Sequence, residues 1–256
     1  MLYFLYMERT TIGPIADRVI VRPGIGDSKN SPLIPDTEHQ EYWNFVIEYI
    51  TERVSFQIPV PDTDYMLNPF FGSFGMCYNP SSPTPQSFHL GLDLATKYRE
   101  AVKPITSGVL EYSGYSLSNG HYIMLSHPQI TSQDGFVLHS LYISLHSATI
   151  GFTRYQKMLR EISLRSYPQI MISQDTIIGY VGESGDTAGL HTHMHIQCEF
   201  RHPDGRVIAI DPARLLQLPS DGNITAEITT PEQFAELYPV HQEEIKKSCL
   251  EKYWKE

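Results

Sequence analysis

The chain has 256 residues, and 19 Lys and Arg against 29 Asp and Glu give a formal net charge of −10. Its 41% hydrophobic and 19% charged residues are typical of a globular protein long enough to bury a full core. The acidic excess argues against nucleic-acid binding through phosphates, and no segment reaches the ~20 apolar residues of a membrane helix. The apolar opening has no basic region before it, so no clear signal peptide is predicted; compartment and oligomeric state stay undefined.

The elements read in chain order predict a mainly β fold. A Pro-rich arm, residues 1–40, overlaps a helix predicted over 37–53 with Thr37 as its N-cap. From Phe56 onward, short β-branched and aromatic runs alternate with turn clusters, which favours antiparallel sheets forming a groove. A few peripheral helices accompany them, one over 153–166. The predicted division is an N-terminal arm and helix (1–55), a β domain (56–219) and a helical tail (220–256).

The segment FHLGLDLA places His89 and Asp93 four residues apart. On a strand, side chains separated by an even number of residues share a face, so both can approach one point. Imidazole nitrogen and carboxylate oxygen both bind zinc. Taken alone, this spacing also fits a simple pairing of His89 with Asp93.

The segment GLHTHMHIQCE alternates His191, His193 and His195 with other residues. An extended chain turns all three imidazoles to one side, and Met194 and Ile196 to the other. A core that buries Met194 and Ile196 would present the imidazoles to a cleft. The competing interpretation is an accidental His-rich strand, but the pattern favours metal binding or catalysis.

Together the two segments resemble the lysostaphin-type zinc metalloendopeptidases, which cleave peptides of bacterial peptidoglycan. The resemblance extends over about Pro59 to Leu216 and includes the runs GHYIMLSH and IIGYVGESG. It implies a zinc ion (Zn2+) held by His89, Asp93 and His195, with His193 as a catalytic residue. A shifted register, with His193 as the ligand and His191 as the catalytic residue, stays open.

One position departs from the family pattern. Where the family has a second catalytic histidine in a Tyr-x-His-Leu run, this chain has Tyr142-Ile143-Ser144-Leu145. His146 lies two residues further on, on the face of Tyr142 and Ser144 if the strand is regular, and a bulge could bring it to the same place. Alternatively, Ser144 holds a water, or the site binds metal without hydrolysing anything.

The resemblance therefore implies a zinc-dependent metalloendopeptidase acting on peptidoglycan peptides, with His193 and His146 as its catalytic pair. The alternative is a catalytically silent homologue that binds wall peptide or regulates another hydrolase. Peptide or peptidoglycan is the expected partner, with no nucleic acid and no transmembrane segment. The N-terminal arm is either autoinhibitory or a structural or interface segment.

Overall fold

A computed structural model describes residues 9–21, 33–60, 66–67, 74–78, 85–146, 170–185 and 193–218. The predicted helix 153–166, the tail 220–256 and His191 lie outside these residues. The described strands are β1 (Thr10–Ile12), β2 (Val19–Val21), β3 (Leu33–Pro35), β4 (Met66–Leu67), β5 (Gly75–Tyr78), β6 (Pro85–His89), β7 (Leu92–Ala95), β8 (Ala101–Val102), β9 (Gly108–Ser116), β10 (Gly120–Ser132), β11 (Val137–Leu145), β12 (Met171–Ile172), β13 (Gly179–Tyr180), β14 (His193–Arg201) and β15 (Val207–Ile210). The helices are α1 (Gln40–Thr51), which follows a 3-10 turn over Thr37–His39, and α2 (Pro212–Leu215).

Most described strands belong to one sheet, which confirms the mainly β fold class. Its main path runs β12-β9-β10-β11-β14-β15-β3-β2; β1 pairs with β10, and β7 pairs with both β14 and β4. Two of these pairs, β1–β10 and β15–β3, are parallel, so the prediction of antiparallel sheets was incomplete. Both bring a strand of the first 35 residues against a strand distant in the chain. No hairpin joins these partners, so nothing imposes an antiparallel direction.

The larger hydrophobic core lies on one face of this sheet. Met194 and Ile196 of β14 are fully buried there, as their alternation with the histidines predicts. The helix α1 packs into the same core through Trp43, Val46, Ile47 and Ile50, which recur at helical spacing. We call the opposite side of the sheet, which carries His193 and His195, the histidine face.

The helix starts differently from its prediction. Thr37 is not the N-cap: the Asp36 carboxylate accepts a hydrogen bond from the Glu38 N–H at 3.0 Å, and the chain first makes the 3-10 turn. The α-helix proper begins at Gln40. Asp is as good an N-cap as Thr, and a helix period alone does not separate neighbouring cap candidates.

The described part of the N-terminal arm is built into the sheet and core. Beyond β1, the N–H groups of Ile15 and Ala16 donate to the Asp134 carboxylate at 2.9 and 2.7 Å. The Trp43 indole donates to the Arg18 carbonyl at 2.8 Å. A structural role accounts for these residues, while the division into 1–55 and 56–219 stays a prediction. Within the described ranges, no helix has the length and hydrophobicity needed to span a bilayer.

Candidate metal centre

Three potential metal ligands converge where β6, β7 and β14 meet. His89 ends β6, and Asp93 of β7 lies directly opposite His195 of β14 in the antiparallel register. The His195 Nδ1 atom lies 2.7 Å from Asp93 Oδ1 and 3.1 Å from His89 Nε2. His89 Nε2 and Asp93 Oδ1 are 3.4 Å apart. Two nitrogens and one oxygen thus surround a single point.

The size of this triangle suits a zinc ion. Ligand bonds of about 2.0–2.2 Å in a tetrahedral site separate the donor atoms by roughly 3.3–3.5 Å. Two of the three separations approach that value, and the shorter one joins an imidazole to a carboxylate at hydrogen-bond distance. Within the described part of the chain, His89, Asp93 and His195 are the only group of three or more His, Cys, Asp or Glu residues whose donor atoms all lie within 4.8 Å of one another.

The local electrostatics favour an anionic Asp93 carboxylate and a neutral His195 imidazole, and the protons on the nitrogens that face Asp93 would leave when a metal binds. Burial would raise the pKa of Asp93, but the charge of His89 and the hydrogen bonds from His195 and His89 outweigh it and hold the pKa well below its ordinary value. Burial lowers the pKa of His195, although Asp93 acts in the opposite direction. An anionic carboxylate and a neutral imidazole are the forms that coordinate metal.

Gly91 allows the β6–β7 turn to pass directly against the His195 ring. A Cβ atom at this position would overlap the His195 Nε2 atom and the Ile196 carbonyl oxygen, and would lie 2.6 Å from His195 Cε1. No side chain fits there unless both the imidazole and the β14 backbone at Ile196 move. Glycine at 91 is therefore a geometric requirement of the site, because it sets how closely His89 and Asp93 approach β14.

His193 shares the histidine face with His195, two residues away on β14. Its side chain is nearly buried, and its charge is one of the factors that lower the pKa of His195. The backbone of His193 pairs with Ala95 on one side and with Gly182 on the other. His193 thus lies close to the candidate ligands without belonging to their triangle.

The strand β11 is irregular at Ser144. Between the pairs His121–Leu145 and Ile123–Tyr142, β10 advances two residues and β11 advances three, so β11 contains a bulge. Ser144 has a φ of 60°, in the left-handed region, and its side chain is almost fully buried. The bulge interrupts the alternation of side chains along the strand.

The prediction that His146 shares a face with Tyr142 and Ser144 was therefore wrong. Tyr142 and Leu145 are both fully buried in the same core cluster, although a regular strand would turn them to opposite sides. The extra residue resets the alternation, and His146 follows Leu145 on the side away from the core. The prediction from sequence allowed for a bulge in this strand, and the structure has one at Ser144, two residues before His146.

Residues 181–182 separate the chain near His146 from β14. The pairing of β11 with β14 ends at Ile143–His195. Beyond it, Val181 bridges to Leu145 and Gly182 bridges to His193. His146 and His193 therefore lie on either side of one intervening strand, about 9–10 Å apart at the backbone from two strand spacings. Two imidazoles at this separation can border one substrate cleft.

Sequence reasoning missed residues that surround His146. Arg99 and Tyr98 contact its imidazole, and nothing in the run KYRE indicates this. Ser184 connects two strands here, because it donates to the Leu145 carbonyl at 2.7 Å and accepts from the His121 N–H at 2.9 Å. The segment IIGYVGESG that contains Ser184 belongs to the family resemblance. Its glycines and serine do not by themselves predict which backbone groups Ser184 binds.

Comparison with known proteins finds similar solved structures, several of them peptidases. A zinc-containing peptidase from Vibrio cholerae matches with 18% identity and a TM-score of 0.43, over 64% of this chain and 41% of that one. The catalytic domain of lysostaphin from Staphylococcus simulans matches with 20% identity and a TM-score of 0.39, over 60% and 93%. The pore-forming complex of SpoIIQ and SpoIIIAH matches with 19% identity and a TM-score of 0.41, over 64% and 91%. No family model matches the sequence.

Proposed function

We propose that this protein is a zinc-dependent metalloendopeptidase that hydrolyses peptide bonds, with peptidoglycan peptides as its substrate class. The observation that carries the proposal is the approach of His89 Nε2, Asp93 Oδ1 and His195 Nδ1 to within 2.7–3.4 Å of one another. A local ion pair joins two side chains, whereas here three potential ligands from three different strands meet at one point. The choice of peptidoglycan rests on the motif resemblance and goes beyond the geometry.

In the proposed site, His89, Asp93 and His195 hold the zinc and leave room for further ligands. Zinc with three protein ligands acts as a Lewis acid and makes water an effective nucleophile at neutral pH. The carboxylate of Asp93 would contribute the one negative charge of the ligand set, next to the His195 imidazole. The three side chains are 13–17% exposed, which limits competition from bulk water while leaving the site open to a substrate.

His193 is the proposed general base. It lies on the same face as His195 and next to the metal ligands, where its imidazole can accept a proton from the attacking water. His146 borders the other side of the cleft and supplies a hydrogen bond to the oxygen of the scissile carbonyl as negative charge develops there. In this proposal His193 acts only as the base, and His146 acts only as a hydrogen-bond donor.

Metal analysis and a hydrolysis assay on the same preparations test this proposal. We expect one zinc per purified chain, and a release of new amino groups from peptidoglycan that stops when the metal is chelated. His195→Ala should lose both the zinc and the hydrolysis, whereas His202→Ala, in the β14–β15 turn, should keep both. A His195→Ala variant that retains the wild-type zinc content would contradict the ligand assignment.

A catalytically silent homologue is the second candidate, and Ser144 favours it. A serine stands where the related family has a histidine, and a serine hydroxyl cannot replace an imidazole as a charged hydrogen-bond donor. Ser144 is also buried and lies in the bulge of β11. This alternative predicts a chain that binds zinc and peptidoglycan fragments but releases no new amino groups. The same preparations therefore decide between the two functions.

A further inference from the structure

The imidazole of His146 contacts the side chains of two neighbouring residues. The Nε atom of Arg99 lies 3.3 Å from His146 Nε2, and this N–H points at the ring nitrogen. The Tyr98 ring meets the imidazole edge-on, with ring centroids 5.2 Å apart and planes at 62°. The Arg99 guanidinium carbon lies 5.5 Å from the Tyr98 centroid, so the three groups form one cluster.

The backbone fixes the two sides of this cluster relative to each other. The His146 N–H donates to the Tyr180 carbonyl at 2.8 Å, and the Arg99 N–H donates to the Val181 carbonyl at 2.9 Å. Gly182 permits the close approach, because a Cβ atom there would lie 2.5 Å from the His146 nitrogen. Arg99 and His146 therefore contact each other across residues 180–182, which hold them at a set separation.

Arg99 occupies a backbone conformation that favours glycine. Its φ is 66°, where a Cβ atom is sterically disfavoured. A non-glycine residue in this region raises the free energy of the folded state, and such strain concentrates at functional positions. The strained backbone makes Arg99 a candidate for a functional side chain, and the contact with His146 Nε2 gives that side chain a partner.

The chemistry of this contact determines where the His146 proton resides. A guanidinium has only N–H donors and stays protonated, so the ring nitrogen facing it must accept. A neutral imidazole that accepts at Nε2 carries its proton on Nδ1. We infer that Arg99 is a positioning residue that fixes His146 as the Nδ1–H tautomer, which can donate a hydrogen bond from Nδ1 but cannot act as a base through Nε2.

The catalytic meaning of this tautomer rests on the proposed function. A donor at Nδ1 suits stabilisation of the oxygen that becomes negative during hydrolysis, and it leaves the base role to His193. The two histidines that flank residues 181–182 would then be held in opposite roles. The tautomer itself is a property of the chain whether or not the protein hydrolyses peptides.

Nitrogen NMR of the full-length protein tests the tautomer directly. In ¹⁵N-histidine-labelled protein at pH 8, with the His146 signals assigned through His146→Gln, we expect a protonated Nδ1 and an unprotonated Nε2. Arg99→Gly removes the side chain at a position where glycine relieves backbone strain, so its melting temperature should equal or exceed that of the wild type. In this variant the proton should redistribute toward Nε2.

The controls separate the contact from general effects of losing an arginine. Arg53→Ala removes an arginine that stacks on Tyr49 at 3.6 Å, and it should leave the His146 signals unchanged. Arg99→Lys keeps a donor and should partly restore the Nδ1–H form. A wild-type His146 protonated on Nε2, or an Arg99→Gly variant with the wild-type tautomer, would overturn the inference.

Kinetics test the catalytic consequence separately. Arg99→Gly should lower kcat about tenfold with KM unchanged, which is less than the 10²–10³ lost with an oxyanion donor itself. Zinc content should stay at the wild-type level. A changed tautomer with an unchanged kcat would overturn the catalytic part. If the wild type hydrolyses nothing while the tautomer shift is observed, the proposed function fails and the positioning of His146 by Arg99 stands.

Discussion

The two sides of the candidate site are built in different ways. On the ligand side, β7 and β14 are paired without interruption from His193–Ala95 to Ile196–Leu92. The regular alternation of side chains along these strands puts Asp93 and His195 on the same face. On the other side, β11 is bulged at Ser144, and His146 is held by backbone contacts and by Arg99. Regular pairing suffices to assemble ligands, whereas the position of the second histidine depends on a local distortion and on a neighbouring loop.

The largest effect should come from the regular side. His193→Ala should keep its zinc and lose about 10²–10⁴-fold in turnover, as expected for a lost general base. The measurement is kcat for release of amino groups together with zinc content, and His202→Ala, a change in the β14–β15 turn, is the matched control. If His193→Ala instead loses the metal, the shifted register is correct, and His193 is a ligand.

A second prediction tests the stability of the sheet through a buried histidine. His127 in β10 contacts the Ser107 carbonyl at 3.0 Å and the Ser140 hydroxyl of β11 at 2.8 Å. Burial lowers the pKa of His127 to about 4 from its ordinary 6.5. The unfolded chain therefore binds the proton first as the pH falls, and the folded state loses stability between about pH 6.5 and 4.

This titration should reduce the free energy of unfolding by about 3 kcal/mol across that range. Urea unfolding at several pH values measures it, and His127→Gln should show a correspondingly shallower pH dependence. His202→Gln is the control: it changes a turn histidine whose side chain is 23% exposed and keeps His127, so the loss of stability between about pH 6.5 and 4 should remain. Equal slopes for His127→Gln and the wild type would show that this histidine does not stay neutral in the fold.

The smallest effect concerns the bulge itself. Ser144→Val places a β-branched residue at a φ of 60° and should cost about 1–2 kcal/mol, whereas Ser144→Gly should be close to neutral. Ser113→Val, at a regular position of β9, is the matched control and should be tolerated. Denaturant unfolding distinguishes these variants. Equal stabilities for Ser144→Val and Ser144→Gly would mean that β11 is regular in solution.

This difference also explains how much the sequence could predict. The alternation of Met194 and Ile196 with the histidines is a property of any regular strand, so their burial and the shared face of His193 and His195 followed from spacing alone. The bulge did not follow, because Ser is not specific for the left-handed region, and one extra residue reverses all later alternation. The parallel strands of the N-terminal arm and the contact of Arg99 with His146 depend on packing between distant segments, which leaves no local pattern.

The central claim is that His89, Asp93 and His195 form one metal site. A crystal structure of the zinc-loaded protein, with anomalous data collected at the zinc edge, tests it most directly. We expect one zinc peak about 2.0–2.2 Å from His89 Nε2, Asp93 Oδ1 and His195 Nδ1. A zinc peak coordinated by His193 in place of His195, or no peak at these three side chains, would contradict it.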